Sequence, residues 1–363
     1  MEYSGNTPIC SIANRGIFQA KCTENAKSEP NERMAGDNAS SEGDKAMSES
    51  KETRLQRLRE LASAPEARAE YAATLLQPKF GLEVVRAALR VLINHPHLAA
   101  RPALVRLFDH YATQGVNRDP GTYVRSEIVR ALRPICEPAD VPLLERACLT
   151  YEFPAPAFKE EATMLRSGAL VTLAEVDDVR SRYHATRLLA DPLTDPMSGE
   201  PALTAIQVLV AQGELLPLYF YVTQDASRMH AEVASVCLRS LGALPAEAVP
   251  PLVACYAECT NPVLLVGLTD LLLEHASLEI SRETLARLLI EVKDTDLYRY
   301  LTTAMLAAGN ADVRQLVLDA ANGILERAKQ NVLVEVLADA GGSQDVREVL
   351  AALQARRTPR GSR

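Results

Sequence analysis

From about Leu55 to the C-terminal end the chain repeats one pattern, in which apolar residues recur at three- and four-residue spacing and short Pro, Gly or Asp turns break the runs. Each run is an amphipathic helix with one stripe to bury. A two-helix hairpin cannot cover its own stripe, so neighbouring hairpins must stack on it. That requirement points to an all-α fold, an α-solenoid (superhelix) of about eight antiparallel helical hairpins, with an extended surface in place of a deep pocket. Leu55, Leu58, Leu61 and Ala62 form the first stripe, and Ser63 with Glu66 gives a capping-box pattern opening a second helix that runs to about Leu76. Val84, Val85, Ala88, Leu89, Leu92 and Ile93 follow, stopped at His95-Pro96, and their partner runs from Pro102 to Gly115. Later pairs are read at 123–135 with 141–151, 158–174 with 179–189, 202–212 with 215–224, and 229–241 with 249–258. The last three are 263–275 with 282–292, 297–308 with 313–325, and 331–338 with 346–355.

Several helix starts share a short signature: Asp178-Val179-Arg180, Asp312-Val313-Arg314 and Asp345-Val346-Arg347, with a partial form at Tyr123-Val124-Arg125. With it the chain resembles HEAT-repeat proteins, particularly the short bacterial HEAT-like kind. The resemblance covers about 300 residues, with unit spacing drifting between roughly 27 and 41 residues, and it implies fold far more than function. In this reading the Asp caps a helix and favours the positive end of its dipole, while the Arg reaches to the next repeat.

The formal net charge of -8 argues against a protein whose main task is to bind phosphate backbones. Aromatic residues make up 5% and Trp is absent, which suits thin helical layers. Seven scattered cysteines, at 10, 22, 136, 148, 237, 255 and 259, form no disulfide framework and indicate a reduced, cytoplasmic setting. The longest apolar stretch, Pro262 to Leu273, is too short for a membrane span and contains Thr269 and Asp270.

No phosphate-cradling Gly loop, zinc helix or nucleophile turn occurs. Cys255 and Cys259 lie four apart, with Cys237 on the preceding helix, but no His stands at ligand spacing, so small buried residues are the better account. His95, His97, His184 and His230 lack a carboxylate partner recognisable from sequence. The acidic loop from Asp191 to Glu200 departs from a calcium loop. No catalytic residue, cofactor or metal is therefore expected. Tyr219, Phe220 and Tyr221 form the densest aromatic cluster in the chain. Together with Tyr183, His184 and Arg187 one repeat earlier, and Met229 and His230 just after, Tyr219 and Tyr221 make a candidate partner-binding set. The plainer reading is that these aromatics fill gaps between layers.

The functional expectation is a non-enzymatic HEAT-repeat scaffold or adaptor with a protein or peptide partner. Two rivals share the fold type: a HEAT-like DNA glycosylase, weakened by the acidic charge and the lack of Trp, and a bilin-lyase-type enzyme, which needs a pigment-sized pocket. Three segments are expected: 1–50 disordered, 51–355 the helical array, and 356–363 a basic disordered tail. The first carries 5 basic and 8 acidic groups and no helical stripe. It is either a genuine tail or an over-extended reading frame, since Met47 leads directly into the first helix. Intact mass of the natively expressed protein separates the two, and a species beginning at Met1 removes the second.

Overall fold

The structure, a computed structural model, describes residues 49–224, 229–341 and 343–357. Residues 1–48 and 358–363, which contain most of the two expected terminal segments, lie outside the described residues. Among the described residues every regular element is helical, in keeping with the all-α expectation.

The helices divide into two alternating sets. The first comprises α1 (Lys51–Glu60), α3 (Leu82–Asn94), α6 (Tyr123–Leu132), α8 (Thr163–Leu173) and α10 (Ala202–Ala211). It continues through α12 (Ala231–Arg239), α14 (Pro262–Glu274), α16 (Thr295–Ala307) and α18 (Arg327–Ala340), and each member packs on the next. The second set begins with α2 (Pro65–Thr74), α4 (Arg101–Ala112), α7 (Val141–Cys148), α9 (Asp178–Leu189) and α11 (Leu216–Val222). It ends with α13 (Val249–Cys255), α15 (Glu279–Glu291), α17 (Ala311–Gly323) and α19 (Gln344–Arg357). These helices lean on the first set, as α4 does on α6, α9 on α10 and α17 on α16. A single turn, α5 (Gly115–Arg118), interrupts the alternation.

Burial follows the apolar spacing. In α3, Val84, Val85, Ala88, Leu89 and Leu92 are all buried, and one apolar cluster extends from Leu58 to Leu353. Polar residues then set the ends. Asn261 accepts hydrogen bonds from the amides of Val263 and Leu264 at the start of α14, and Asp294 does the same for Asp296 and Leu297 at α16. The last carbonyls of α15 are met by a buried amine: Lys329 Nζ donates to Leu289 O at 3.3 Å and Ile290 O at 2.8 Å. Burial lowers the pKa of that amine.

Four local expectations change. The expected Ser63–Glu66 capping box is absent, because Pro65 at the first helical position starts α2 and pushes Ala64 out of the helical region. The signature aspartates are not the caps: Asp177, Asn310 and Ser343 are, one or two residues earlier, which leaves Asp178, Asp312 and Asp345 in the first turn, where the helix dipole favours them. The helix expected from Phe158 begins only at Thr163, because the carboxylate of Glu160 accepts the amide of Ala162 and two guanidinium bonds from Arg166, anchoring an irregular segment before it. At the other end α19 runs on through Arg356, which donates to Asn322 O at 2.8 Å, so the basic tail expected from 356 is helical at its first position.

The closest backbone approach named by a glycine is between α12 and α14. A Cβ on Gly267 would overlap the backbone of Ser235, including its carbonyl oxygen. Gly267→Ala should therefore destabilise the protein by about 1–3 kcal/mol, as overpacking does. A lowered midpoint in chemical denaturation checks this, with Gly323→Ala, where a Cβ meets open space, as the unaffected control.

Candidate functional site

The second-set helices α9 and α11 carry the surface that best fits a binding role. On α11, Leu218, Tyr221 and Val222 point inward at i, i+3 and i+4 and are buried. Leu216 and Phe220 are consequently turned outward, at 76% and 69% exposure, and on α9 Val179 and Tyr183 are 70% and 65% exposed. Both pairs have i, i+4 spacing, so each forms one short apolar strip on its helix. The start of α9 is tied to the turn that leads from α10 into α11: Gln212 Nε2 donates to Ser181 Oγ at 2.8 Å, and Arg182 Nη1 to Glu214 Oε1 at 2.7 Å. Arg180 pairs with Glu145 of α7 on the opposite flank, at 2.7 Å. The result is an apolar and aromatic patch edged by paired charges, the composition of a protein-contact surface.

The seven candidate residues distribute unevenly around it. Tyr183 lies in the patch. Tyr219 is half-buried against the core, and Tyr221 is buried, its hydroxyl accepting the amide N–H of His230 at 3.1 Å. Burial raises the pKa of the Tyr221 hydroxyl. Met229 packs on the core, and the His230 ring lies 3.1 Å from Pro196 O, joining the loop after α9 to the entry of α12. Arg187 is a brace: it donates to Tyr151 Oη at 2.7 Å and to Cys148 O at 2.6 Å. His184 is 2% exposed, its Nε2 3.5 Å from Glu145 Oε1 and its Nδ1 without a partner. Sequence reasoning selected the two tyrosines flanking Phe220 and missed Phe220 and Leu216. The inward-facing Leu218, Tyr221 and Val222 are the signal that locates them.

Beneath this face lies a buried polar frame. Arg166 of α8 is fully buried and donates to Glu160 Oε1 at 2.8 Å, Glu160 Oε2 at 3.0 Å and Thr150 O at 3.0 Å. Its guanidinium sits 4.2 Å over the Tyr151 ring, and the Tyr151 hydroxyl donates to Asp191 at 2.9 Å. Asp191 Oδ2 is 3.4 Å from Arg166 Nε, close enough for ion pairing but outside hydrogen-bond geometry. Arg125 repeats the arrangement, donating to both Glu152 oxygens at 2.6 and 2.8 Å and to Asp119 Oδ2 at 3.0 Å. Asp119 also accepts the amides of Val124 and Arg125. Gly115 is required here, since a Cβ would overlap the Glu152 carboxylate. Apart from Arg166 Nε, these charged groups are held by one another, which makes them braces between segments.

Among the described residues no group of three His, Cys, Asp or Glu side chains could hold a metal ion. Cys237 is buried, whereas Cys255 is exposed. Burial also pushes the Cys148 thiol up to about 12. No described helix is long and apolar enough to cross a membrane.

No family model and no curated protein matches the sequence. Among solved structures the chain is similar to a crystal structure of an engineered protein from the Northeast Structural Genomics Consortium. The identity is 15%, over 85% of this chain and 90% of that one, with a TM-score of 0.37. At that score the likeness carries no argument about fold or function.

His184 beneath the patch should make stability pH-dependent. Burial, the largest influence, lowers its pKa below the ordinary 6.5 against the opposing pull of Glu145. The unfolded chain therefore binds the proton more readily, and the stabilising contribution is present above about pH 6.5 and lost as pH falls below it. Thermal midpoints between pH 7.5 and 5.5 should fall for the native protein and fall less for His184→Gln.

Proposed function

We propose that this chain is a non-enzymatic scaffold or adaptor of the HEAT-like helical-repeat type, an α-solenoid that binds a protein or peptide partner on its surface. The packing of alternate helices supports the repeat reading. So do ion pairs that recur at about one repeat of separation: Arg86 with Glu127, Arg101 with Asp140, and Arg299 with Glu335. A cytoplasmic setting, expected from the cysteine pattern, belongs to the same proposal.

One observation carries the binding role. Val179, Tyr183, Leu216 and Phe220 expose paired apolar strips on two neighbouring helices, although the surrounding charges are already neutralised by partners. Exposed apolar side chains gathered on neighbouring helices are a feature of interaction sites, and the two aromatic side chains are of the type that dominates binding energy.

The experiment is recovery of bound proteins from the native host on tagged wild-type protein and on a Tyr183→Ser/Phe220→Ser variant. Because both positions are exposed, the double substitution should change stability by less than about 1 kcal/mol. Partner recovery should drop at least tenfold, corresponding to hot-spot losses of about 2 kcal/mol. Undiminished recovery would reject this face as the binding site.

A further inference from the structure

Between α1, α2 and α3 lies a cleft of about 620 Å³, within the size range of ligand-binding pockets. Leu55, Leu82 and Val91 give it apolar walls, and four guanidinium groups line it: Arg59, Arg68, Arg86 and Arg90. Arg86 is neutralised by Glu127, with two of its nitrogens bonding that carboxylate. Glu83, the one acid lining the cleft among the described residues, is held by Lys51. Arg59, Arg68 and Arg90 have no hydrogen-bond or ion-pair partner for their side chains among the described residues, which leaves three uncompensated positive charges around one opening.

Three unpaired arginines around one opening is a concentration that many helix junctions do not share. The protein is acidic by 8 charges, and arginines at other helix junctions, such as Arg133 and Arg180, are matched with Glu175 and Glu145. Arg68 gives a second, independent sign: its Nε is sealed from solvent and has no acceptor. A buried donor left unbonded is costly, and an entering carboxylate would relieve it.

We propose that this cleft binds an acidic peptide segment whose carboxylates pair with Arg59, Arg68 and Arg90 and whose apolar side chain rests against Leu55, Leu82 and Val91. The inference rests on the scaffold reading above and adds a second contact point of defined chemistry. A peptide fits better than a nucleic acid. The apolar walls have no use for a sugar-phosphate backbone, no Phe, Tyr or Trp side chain lines the cleft to stack a base, and the acidic protein as a whole repels a long polyanion.

The test is fluorescence anisotropy on the full chain with a labelled decapeptide alternating Glu and Leu, its Gln-for-Glu counterpart, and a single-stranded oligodeoxynucleotide, with inorganic phosphate as competitor. The acidic peptide should bind saturably. Affinity should fall at least tenfold with the Gln peptide, at least tenfold in Arg59→Gln/Arg90→Gln, and markedly between 50 and 500 mM salt by charge screening. Both substituted arginines are exposed, so a circular dichroism spectrum matching wild type is expected. Absence of saturable peptide binding, or equal binding by the double variant, overturns the proposal. Tighter oligonucleotide binding overturns it in favour of nucleic acid, and full displacement by millimolar phosphate reduces the cleft to a simple anion site. Partner recovery that depends on Tyr183 and Phe220 while the peptide fails would sink the cleft and leave the scaffold standing, and the reverse pattern would sink the patch alone.

Discussion

A guanidinium with no access to water must find its acceptors inside the protein, and Arg166 finds them on three separate segments. It holds the Glu160 carboxylate before α8, the carbonyl of Thr150 after α7 and, at ion-pair distance, Asp191 after α9. Removing one partner of such a buried pair typically costs about 3–5 kcal/mol, because the other charge is left stranded. The position of α9 depends on this junction, since Arg187 reaches into it through Tyr151 and the carbonyl of Cys148. The exposed strip of Val179 and Tyr183 is thus presented by a helix anchored from below. Preorganised surfaces of this kind bind with less ordering cost than mobile ones.

Much of the helical plan was legible in the sequence because it rests on local rules. Asn261-Pro262 opens α14 and Asp294 opens α16, as side-chain capping dictates. The apolar spacing of Val84 to Leu92 correctly separates the buried from the open face of α3. The irregular stretch before Thr163 was not legible, because it is fixed by the long reach of Arg166 and by saturation of Glu160, neither of which has a periodic signature. The candidate site was only partly readable. Tyr219 and Tyr221 stand out by residue type, but on a helix direction decides which aromatic stays exposed, and here it is Phe220. His184 and Arg187 looked like surface chemistry, yet one is buried and the other braces a carbonyl.

Charge is organised on two scales. At many helix junctions acids and bases are matched, and pairs such as Arg146 with Asp109 and Arg180 with Glu145 join consecutive second-set helices. Exposed pairs of this sort contribute little stability each, typically below about 1 kcal/mol, but they fix which face meets which. At the cleft of α1 to α3 three unpaired arginines line one opening, and that local imbalance, more than the net charge of the chain, motivates the binding proposal.

The span of the side-chain links has a consequence for how the chain is made. The side-chain links that join successive helices, such as Arg86 with Glu127, Arg101 with Asp140 and Arg133 with Glu175, span about 40 positions, 42 in the last case. Closing such loops costs the same near one end of the chain as near the other, because the entropy depends on loop length and not on total length. A hairpin emerging during synthesis therefore has its bonding partners within the preceding few dozen residues, and early units can order before the later ones exist.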